Sequence, residues 1–378
     1  NSQVCTKSPL DDPISNNCTK KMSSDTSNTG ETQRTQPQEN KRRRVLSIQS
    51  HVVSGYVGNK SAVFPLQLLG FDVDMINSVQ FSNHTGYPNG FTGEVLNGTQ
   101  LLSLFRGLVN NGLIGDGSSG MSHLVTGYIG SASFLTSVLE IISTLRRHDN
   151  HEKELCYVCD PVLGDEGKFY APTELVKIYR DQIIPLSNVV TPNQFEVEQL
   201  TGVTVNNIED AITACGVLHD LGPDLVVITS LTGIMEKMEE RTITILASKR
   251  RHHPSSSTTI NNNNNNNDNM MEDEIWRIDS PLIPGRYTGT GDLCAALLLA
   301  WTTIAPNDLR GCLEKVAGTM YSVIRRTADY AQQQLDHVDT CTASSSVKAR
   351  ELRLIQSKLD IEHPPILFKA KRIYNITN

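Results

Sequence analysis

The sequence predicts an α/β fold, a three-layer α/β/α sandwich in which helices cover both faces of a mainly parallel central sheet. From residue 45 onward, short runs rich in β-branched residues alternate with amphipathic stretches whose apolar residues recur at three-and-four spacing. Such alternation is typical of parallel strands joined by crossover helices. The chain has 378 residues, 38% of them hydrophobic, which is enough to bury the core of such a sheet.

Six strands and five helices are predicted in this alternating part of the chain. The strands are VLSIQS, DVDMINSVQF, HLVTGYIG, LCYVCDPVL, NVVTP and DLVVITS, which begin at residues 45, 72, 123, 155, 188 and 224. The helices are VGNKSAVFPLQLLG, GTQLLSLFRGLVNNG, SASFLTSVLEIISTLRRH, PTELVKIYRDQIIP and EDAITACGVLHDLG, which begin at residues 57, 98, 131, 172 and 209. Ligands of this architecture bind at the carboxyl ends of the strands.

The pattern changes after Ser230. TITILASKR and EIWRIDSPL are predicted to form a β-hairpin, interrupted by an asparagine-rich, low-complexity insert at about residues 250–273. Two long helical stretches follow, the second at about residues 309–337, and a last strand is predicted in PPILFKA. At the other end of the chain, residues 1–44 are polar and poor in aliphatic side chains, so we expect a disordered tail before a single folded domain at residues 45–378.

Charge and composition narrow the classes of function. The net charge of −7 argues against nucleic-acid binding. The sequence has no apolar run long enough to span a bilayer and no basic-then-apolar leader, so we expect a cytoplasmic protein without membrane contact. The eight cysteines are scattered, which favours reduced thiols over a disulfide framework. Cys156 and Cys159 lie inside a predicted strand, and the absence of a second such pair disfavours a zinc site.

The segment GTGDLCAALLLAW, residues 289–301, places two glycines and Asp292 at the start of an apolar helix. Backbone N–H groups at a helix N-terminus are unpaired, and glycines leave them accessible, so this arrangement suits an anion such as phosphate. Taken alone, the segment is equally a common turn followed by an acidic residue that complements the helix dipole.

Polar side chains follow almost every predicted strand. They are Ser50 and His51; His84, Thr85 and Tyr87; Thr126 and Tyr128; Asp160 and Asp165; Thr191, Asn193 and Glu196; and Thr229 and Ser230. Each alone fits a turn or a helix cap. Because the carboxyl ends of parallel strands meet at one edge of the sheet, the whole set predicts the rim of an active site.

The residue types in this rim point to phosphoryl transfer. Asp160, Asp165, Asn193 and Glu196 offer oxygen atoms suited to Mg²⁺ and a triphosphate, although Asn193 and Glu196 also fit the first turn of a helix. The G-x-x-x-x-G-K-[ST] loop is absent, so the phosphates would depend on the helix start at 289–292 and on metal. Asp292 would accept the proton of the attacking hydroxyl, as a carboxylate kept ionised by the helix dipole.

Six segments together resemble the pyridoxal kinase family of the ribokinase-like superfamily. They are SIQSHVVSGYVGNKSAVFPLQLLGFDVDMINSVQFSNHTGY, LVTGYIG, YVCDPVLGDEGKFY, VVTPNQFEVEQLTG, DLVVITS and GTGDLCAALLLAW, and they follow the family's order over nearly all of residues 45–378. The resemblance implies ATP-dependent phosphorylation of the 5′-hydroxyl of pyridoxal, pyridoxine and pyridoxamine. It further implies Mg²⁺ or Zn²⁺ with ATP, assistance by K⁺, and a homodimer.

The resemblance also implies roles for individual residues. Ser50 and Thr85 would bind the polar atoms of the pyridine ring, which would be surrounded by Val57, Val79, Phe81, His84 and Tyr128. Asp160 and Glu196 would lie at the metal and the phosphates, with Asp165 near the phosphate tail. The nucleotide and monovalent-cation region would be lined by Thr191, Thr229 and Ser230. Asp292 would be the catalytic base beside an anion hole of Gly289, Thr290 and Gly291.

The chain departs from the family pattern in two places, and two alternatives stay open. The loop EGKFY after DPVLGD is short for a segment that resembles a phosphate-covering flap, and residues 231–288 match poorly, so adenine contacts are left unassigned.

A kinase for hydroxymethylpyrimidine, or for another small molecule of the same superfamily, is the nearest alternative, although SIQSHV suits a flat aromatic ring better than a sugar. A non-catalytic pyridoxal phosphate binding protein would not need Asp292 as a base.

Overall fold

The computed structural model describes residues 43–114, 120–147, 155–233, 242–250, 273–336 and 342–374. The predicted tail, apart from its last two residues, and nearly all of the asparagine-rich insert lie outside these ranges. The strands are β1 (Arg44–Val52), β2 (Asp72–Phe81), β3 (Gly93–Val95), β4 (His123–Thr126), β5 (Cys156–Cys159), β6 (Gly164–Asp165), β7 (Lys168–Phe169), β8 (Val189–Val190), β9 (Leu225–Thr232), β10 (Thr242–Lys249), β11 (Glu274–Pro281) and β12 (Lys371–Ile373). The helices are α1 (Asn59–Leu68), α2 (Gly98–Asn110), α3 (Ala132–Arg147), α4 (Leu175–Ile178), α5 (Gln194–Thr201), α6 (Ile208–Leu221), α7 (Thr290–Ile304), α8 (Leu309–Asp336), α9 (Ala343–Ala349) and α10 (Lys358–Glu362).

The described part of the chain forms a central sheet of ten strands in the order β12-β11-β10-β9-β8-β5-β4-β1-β2-β3. The six strands from β9 to β2 in this order are parallel to their neighbours. Antiparallel strands extend the sheet at both edges, β3 beside β2 and the β10-β11-β12 series beside β9. The short strands β6 and β7 pair only with each other.

Two hydrophobic cores lie on opposite faces of the sheet. Successive side chains of a strand point to opposite faces, so neighbouring residues of β1 contribute to different cores. Leu46 and Ile48 pack with helices α2, α3, α5 and α6, whereas Val45 packs with α1, α7 and α8. The predicted α/β/α sandwich is therefore confirmed.

Two of the predicted elements differ in the structure. The stretch at residues 172–185 is α-helical only over Leu175–Ile178 and continues as a wider turn over Tyr179–Ile183 and a tighter one over Ile184–Leu186. The strand predicted in PPILFKA is wrong, because the strand lies directly after it at Lys371–Ile373. Pro364 and Pro365, at the start of the predicted strand, have no N–H group to donate to a strand ladder.

The predicted hairpin after Ser230 is confirmed by the pairing of β10 and β11. Their antiparallel register runs without interruption from Thr242 opposite Pro281 to Lys249 opposite Glu274. The strand ends that flank the insert therefore lie side by side. Within the described ranges, no helix is long and apolar enough to cross a membrane. The cysteines at 156, 159, 215, 294 and 312 are free thiols, and all except Cys156 are buried.

Candidate active site

A cavity of about 1390 Å³ opens at the carboxyl ends of the parallel strands. We call it the strand-end cavity. Most of the site residues predicted from the sequence line it: Ser50, Val57, Val79, Phe81, His84, Thr85, Tyr128, Asp160, Asp165, Thr191, Asn193, Glu196, Thr229, Ser230, Gly289, Thr290, Gly291 and Asp292. His51, Tyr87 and Thr126, which were also predicted at the rim, are not among its lining residues. The chain thus brings these residues together from seven segments far apart in sequence, at the sheet edge where the fold places ligands.

The start of α7 crosses the loop before α1 at the floor of this cavity. Gly289 and Gly58 both have left-handed backbones, with φ of 87° and 54°. A Cβ atom on Gly289 would overlap the carbonyl oxygen of Tyr56, and one on Gly58 would overlap that of Ser50. Glycine at position 289 therefore lets the start of α7 lie against the Tyr56 carbonyl, and glycine at position 58 lets the loop before α1 lie against the end of β1.

This crossing fixes the position of the Asp292 carboxylate. The backbone N–H of Gly58 donates a hydrogen bond of 2.7 Å to Oδ2 of Asp292, and the Ser61 hydroxyl donates to the carbonyl oxygen of Gly289 at 2.8 Å. Burial raises the pKa of Asp292 above the usual aspartate range, and the hydrogen bond from Gly58 offsets part of this rise. The backbone N–H of Asp292 itself, at the helix start, also lowers this pKa, and the prediction that the helix dipole keeps the carboxyl ionised stays a prediction.

Behind the crossing, a buried network of polar side chains holds the start of α1. The Asn59 amide donates to Asn77 Oδ1 at 2.8 Å and to the Ile76 carbonyl at 3.1 Å. Its oxygen accepts a hydrogen bond from the Ser47 hydroxyl at 2.8 Å. The sequence analysis did not identify this network, although Ser47 and Asn59 stand out as polar residues in segments otherwise directed to the core.

Asp160 has the least compensated carboxylate of the cavity. It is buried, and the Thr191 hydroxyl lies 3.3 Å from Oδ1. Its Oδ2 atom is buried and has no hydrogen-bond partner among the described residues. Burial and the neighbouring charges of Glu196 and Asp292 raise the pKa of Asp160. Because a Cβ atom on Gly291 would lie 3.7 Å from Oδ2, this oxygen faces the start of α7.

Glu196 is held by backbone N–H groups, in the capping arrangement that the sequence analysis gave as its structural alternative. Asn193 Oδ1 accepts from the Glu196 N–H at 2.8 Å, while Glu196 Oε2 accepts from the Asn193 N–H at 2.9 Å. The remaining oxygen accepts from the Leu163 N–H at 2.9 Å. Burial raises the pKa of Glu196 to about 8 despite these hydrogen bonds.

The loop after DPVLGD forms a small hairpin, β6–β7, at the rim of the cavity. Its two turn residues, Glu166 and Gly167, have φ of 49° and 75°, as in a type I′ turn. The Glu166 N–H donates to Asp165 Oδ1 at 2.8 Å, and the ring of Phe169 packs edge-on against Phe195. The short segment is therefore an ordered hairpin whose Asp165 and Glu166 face the cavity.

Part of the cavity is an apolar slot. Val52, Val57, Val79 and Phe81 form a separate hydrophobic cluster against which Tyr128 packs. The Ser78 hydroxyl donates to the Tyr128 carbonyl at 2.6 Å, which fixes the backbone at this tyrosine. Polar side chains at the edge of the slot include Ser50, His84 and Thr85. A slot with apolar walls and polar edges suits a flat aromatic molecule with ring substituents.

The sequence analysis missed one wall of the cavity. This wall comes from the poorly matching segment and from the helices that follow it: Thr242, Ile243, Ile245, residues 280–288, Ala317, Met320, Tyr321, Ile324, Val347 and Arg350. Within the described ranges, Arg286 and Arg350 are the basic side chains that line the cavity. Burial raises the pKa of Asp165 on the β6–β7 hairpin, and the charge of Arg286 offsets a small part of this rise, so the two side chains lie near each other.

Known proteins that are similar to this chain are named as kinases, in agreement with the chemistry of this site. The family model described as phosphomethylpyrimidine kinase matches residues 126–267. A pyridoxal kinase of Arabidopsis thaliana is 48% identical over 332 residues, which cover 87% of this chain and 94% of the relative. The pyridoxal kinase of Homo sapiens is 41% identical over 331 residues, covering 86% of this chain and 97% of the relative.

Solved structures show the same fold. The pyridoxal kinase of Leishmania donovani in complex with ADP and ginkgotoxin aligns with a TM-score of 0.73 at 32% identity, covering 88% of this chain and 100% of that chain. The same enzyme in complex with ADP and pyridoxine aligns with a TM-score of 0.73 at 32% identity, covering 88% and 99%. The extent and level of identity to these relatives, together with the strand-end cavity, show that this chain belongs to the pyridoxal kinase family.

Proposed function

We propose that this protein transfers the γ-phosphoryl group of ATP to the 5′-hydroxyl of pyridoxal, and also of pyridoxine and pyridoxamine. The observation that carries the proposal is that one cavity contains both the apolar slot and the Gly289–Asp292 helix start. The relatives named pyridoxal kinase support it, as do the neighbouring structures described with ADP together with pyridoxamine or pyridoxine.

In this proposal the slot orients the ring and Asp292 receives the proton of the 5′-hydroxyl. Ser50 and Thr85 contact polar ring atoms, while Val57, Val79, Phe81, His84 and Tyr128 surround the ring. The hydrogen bond from Gly58 holds the Asp292 carboxylate in place at 2.7 Å. Its raised pKa makes it a stronger base than an exposed aspartate, which favours transfer of the hydroxyl proton to it.

The N–H groups at the start of α7, over Gly289, Thr290 and Gly291, face the position proposed for the transferred phosphate. Unpaired N–H groups at a helix start stabilise negative charge without reorganising during the reaction. The remaining nucleotide contacts are proposed for Asp165, Thr191, Asn193, Thr229 and Ser230, all of which line the same cavity.

The residues present fit a magnesium ion bound together with ATP. Asp160 offers a buried oxygen that has no hydrogen-bond partner in the described part of the chain, and Glu196 lies close enough for its charge to raise the pKa of Asp160. Among the residues that the structure describes, no cluster of three His, Cys, Asp or Glu side chains could hold a metal alone. Mg²⁺ needs only one or two carboxylates besides phosphates and water, whereas Zn²⁺ favours nitrogen and sulfur ligands. When bound, Mg²⁺ would neutralise charge on the phosphates.

Two further features of the family are proposed for this chain. The hydroxyl groups of Thr191 and Thr229, at the ends of neighbouring parallel strands, are proposed to contribute to a K⁺ site. A homodimer is proposed from the resemblance to the family, and sedimentation of the purified protein over a range of concentrations tests it.

The decisive experiment measures ATP- and Mg²⁺-dependent transfer of phosphate to pyridoxal and, separately, to hydroxymethylpyrimidine, with and without K⁺. We expect preference for pyridoxal. Asp292→Asn should lower the turnover number by about 10²–10⁴-fold, the usual contribution of a general base, while the dissociation constants of pyridoxal and ATP stay nearly unchanged. Loss of both binding affinities in this variant would instead identify Asp292 as a structural cap.

Phosphorylation of hydroxymethylpyrimidine is the second candidate function, since the matching family model carries the name of a phosphomethylpyrimidine kinase. Transfer to the pyrimidine alone would establish this candidate and would leave the roles of Asp292 and the α7 start unchanged. Tight binding of pyridoxal phosphate without transfer to either acceptor would identify a non-catalytic binding protein.

A further inference from the structure

Glu351, just beyond α9, lies between two loops that carry proposed substrate contacts. Its side chain is only 11% exposed. Oε2 accepts a hydrogen bond of 2.9 Å from the backbone N–H of Tyr56, in the loop between β1 and α1. Oε1 accepts one of 3.0 Å from the Tyr87 hydroxyl, in the loop after β2. One carboxylate therefore links segments that are 295 and 264 residues away in sequence.

The same carboxylate also orients His84. The N–H of Gly86 donates to Nδ1 of His84 at 3.1 Å, so this nitrogen carries no proton. The hydrogen atom of the neutral ring is then on Nε2, which lies 3.3 Å from Glu351 Oε1. The ring is thus fixed in one tautomer and one orientation, and it packs against Tyr87 with ring centroids 4.8 Å apart.

The loop before α1 is shaped to accept this carboxylate. Gly55 has a φ of 106°, and a Cβ atom there would lie 2.5 Å from Glu351 Oε1. From Gly55 the loop continues through Tyr56 to Val57, in the apolar slot, and to Gly58, which holds Asp292. Displacement of Glu351 would therefore shift Val57 on one wall of the slot, through Tyr56, and would shift His84 on the other wall.

Glu351 itself is not part of the cavity wall, although His84 and Val57 are. We propose that Glu351 is a positioning residue for the vitamin substrate, which holds His84 and the β1–α1 loop in the geometry that closes the apolar slot around the pyridine ring. This inference rests on the proposed function, since it concerns the ring-binding end of the same cavity.

The chain offers a matched control in Glu314 of α8. This glutamate is also nearly buried, with 8% of its side chain exposed, and it forms ion pairs with Arg310 and Lys369. It accepts a backbone hydrogen bond from Ala370, as Glu351 does from Tyr56. Because Glu314 does not line the strand-end cavity, its removal reports the effect of losing a buried glutamate elsewhere in the fold.

The first test compares Michaelis constants. Glu351→Ala should raise the KM for pyridoxal by about tenfold, the size expected for lost hydrogen bonds to a charged group, and should change the KM for ATP by less than about twofold. The KM for pyridoxal of Glu351→Gln should lie between those of the wild type and Glu351→Ala. An amide has one acceptor oxygen, whereas the carboxylate of Glu351 uses two oxygens to accept from its donors. Glu314→Ala should alter neither constant, whatever it does to the melting temperature.

The second test observes the tautomer of His84 by long-range ¹H–¹⁵N correlation spectra of histidine-labelled protein, without turnover. The His84→Asn variant identifies its signals. We expect the Nε2-protonated pattern in the wild type and its loss or mixing in Glu351→Ala. If that variant does not fold, Glu351→Gln is judged by the same criteria.

An unchanged tautomer together with an unchanged KM for pyridoxal would overturn the inference, and so would equal increases in both Michaelis constants. Failure of the proposed function would look different: the wild type would not phosphorylate pyridoxal, while the spectra would still show whether Glu351 sets the tautomer of His84.

Discussion

At the scale of single residues, the two buried carboxyl groups of the strand-end cavity, Asp160 and Glu196, and the half-buried one, Asp292, are held in different ways. Glu196 accepts hydrogen bonds from the N–H groups of Asn193 and Leu163, and Asp292 accepts one from Gly58. Among the residues that the structure describes, Asp160 accepts a hydrogen bond only from the Thr191 hydroxyl, at 3.3 Å. The protein alone therefore offers few hydrogen bonds to the ionised form of Asp160. A bound cation stabilises a buried carboxylate most under this condition.

We predict that Asp160→Asn raises the melting temperature at pH 8 while abolishing activity. Because burial and neighbouring charges raise the pKa of Asp160 in the folded state, folding favours the protonated form. The corresponding stability is fully present below the pKa of the unfolded chain, near 3.9, and is lost as pH rises through the pKa of the folded state. Asparagine does not ionise and avoids this loss.

Calorimetry of both proteins without nucleotide, from pH 4.5 to pH 8, checks this prediction. The difference in melting temperature should shrink as the pH falls, since the wild-type carboxyl then becomes protonated. A variant less stable than the wild type at pH 8 would show that Asp160 is compensated by groups other than those described above.

Most of the residues predicted from sequence reach the cavity, because the ends of parallel strands converge by the rules of the fold, whereas His51, Tyr87 and Thr126 do not line it. Their individual roles stay predictions. Glu351 and Arg286 could not be predicted in this way. Glu351 follows a short helix near the end of the chain, and Arg286 lies in an irregular loop, so neither occurs at the end of a recognisable strand.

At the scale of elements, the crossing of α7 and the loop before α1 determines the shape of the phosphate region. We predict that Gly289→Ala destabilises the protein by at least about 1–2 kcal/mol, the cost of a left-handed backbone for a residue with a Cβ atom. The overlap of this atom with the Tyr56 carbonyl adds to that cost. The variant should also lose activity, because the Gly58–Asp292 hydrogen bond depends on the same crossing.

Gly291→Ala is the matched control for this prediction. A Cβ atom on Gly291 would make an ordinary contact of 3.7 Å with Asp160 Oδ2, so we expect the melting temperature to change little. The methyl group would occupy space proposed for phosphate, and ADP binding should weaken. Equal losses of stability in the two variants would show that the crossing is not what makes Gly289 necessary.

Among the described residues that line the cavity, acidic side chains outnumber basic ones, and Arg286 is one of the few positive charges there. Acidic side chains dominate the lining: Asp160, Asp165, Glu166, Glu196, Glu198 and Asp292. Of the two lining arginines in the described part of the chain, Arg350 donates to the carbonyl oxygen of Ser346 on its own helix. Arg286 lies close enough to Asp165 for its charge to offset part of the rise in pKa that burial causes there. We predict that Arg286 contacts the phosphates of the nucleotide.

Arg286→Ala should therefore raise the dissociation constant of ADP by about tenfold, as expected for a lost hydrogen bond between charged groups, and should leave adenosine binding unchanged. Titration calorimetry measures both constants. The control is Arg106→Ala, which removes an exposed arginine of α2 that pairs with Glu140. Equal weakening of adenosine and ADP would assign Arg286 to the shape of the pocket rather than to phosphate.

Long elements were predicted from sequence patterns more accurately than short ones. Long segments with a clear period, such as β2, α3 and α8, were predicted within one residue of their observed bounds. The strands β3, β6 and β7 have three residues or fewer, which is too short for periodicity to be recognised. Their pairing is determined by neighbours in space, which a local pattern does not contain.

At the scale of the whole molecule, the sheet divides into a parallel centre that carries the cavity and an antiparallel edge, β10 to β12, that carries the insert. The start of β10 and the end of β11 line the cavity through Thr242, Ile243 and Ser280. Lys249 and Glu274 pair at the opposite ends of these two strands. The insert is therefore attached at the end of the hairpin remote from the site, seven residues along β10 from Thr242.

We predict that replacing residues 250–273 by Asn-Gly preserves both activity and stability. A two-residue type I′ turn connects strand residues that lie directly opposite each other, as Lys249 and Glu274 do. The replacement removes one exposed ion pair, between Arg250 and Asp220, and such pairs contribute about 0–1 kcal/mol. The Michaelis constants for ATP and pyridoxal and the melting temperature provide the measurement.

Arg250→Asn in the full-length chain is the control, because it removes the ion pair alone. A melting temperature equal in the two variants would attribute any loss to that pair. A KM for ATP that rises in the shortened protein, but not in the control, would mean that the insert reaches the nucleotide, because the hairpin register leaves the cavity-lining ends of β10 and β11 unchanged. This outcome would contradict the prediction and assign the asparagine-rich segment to the ATP site.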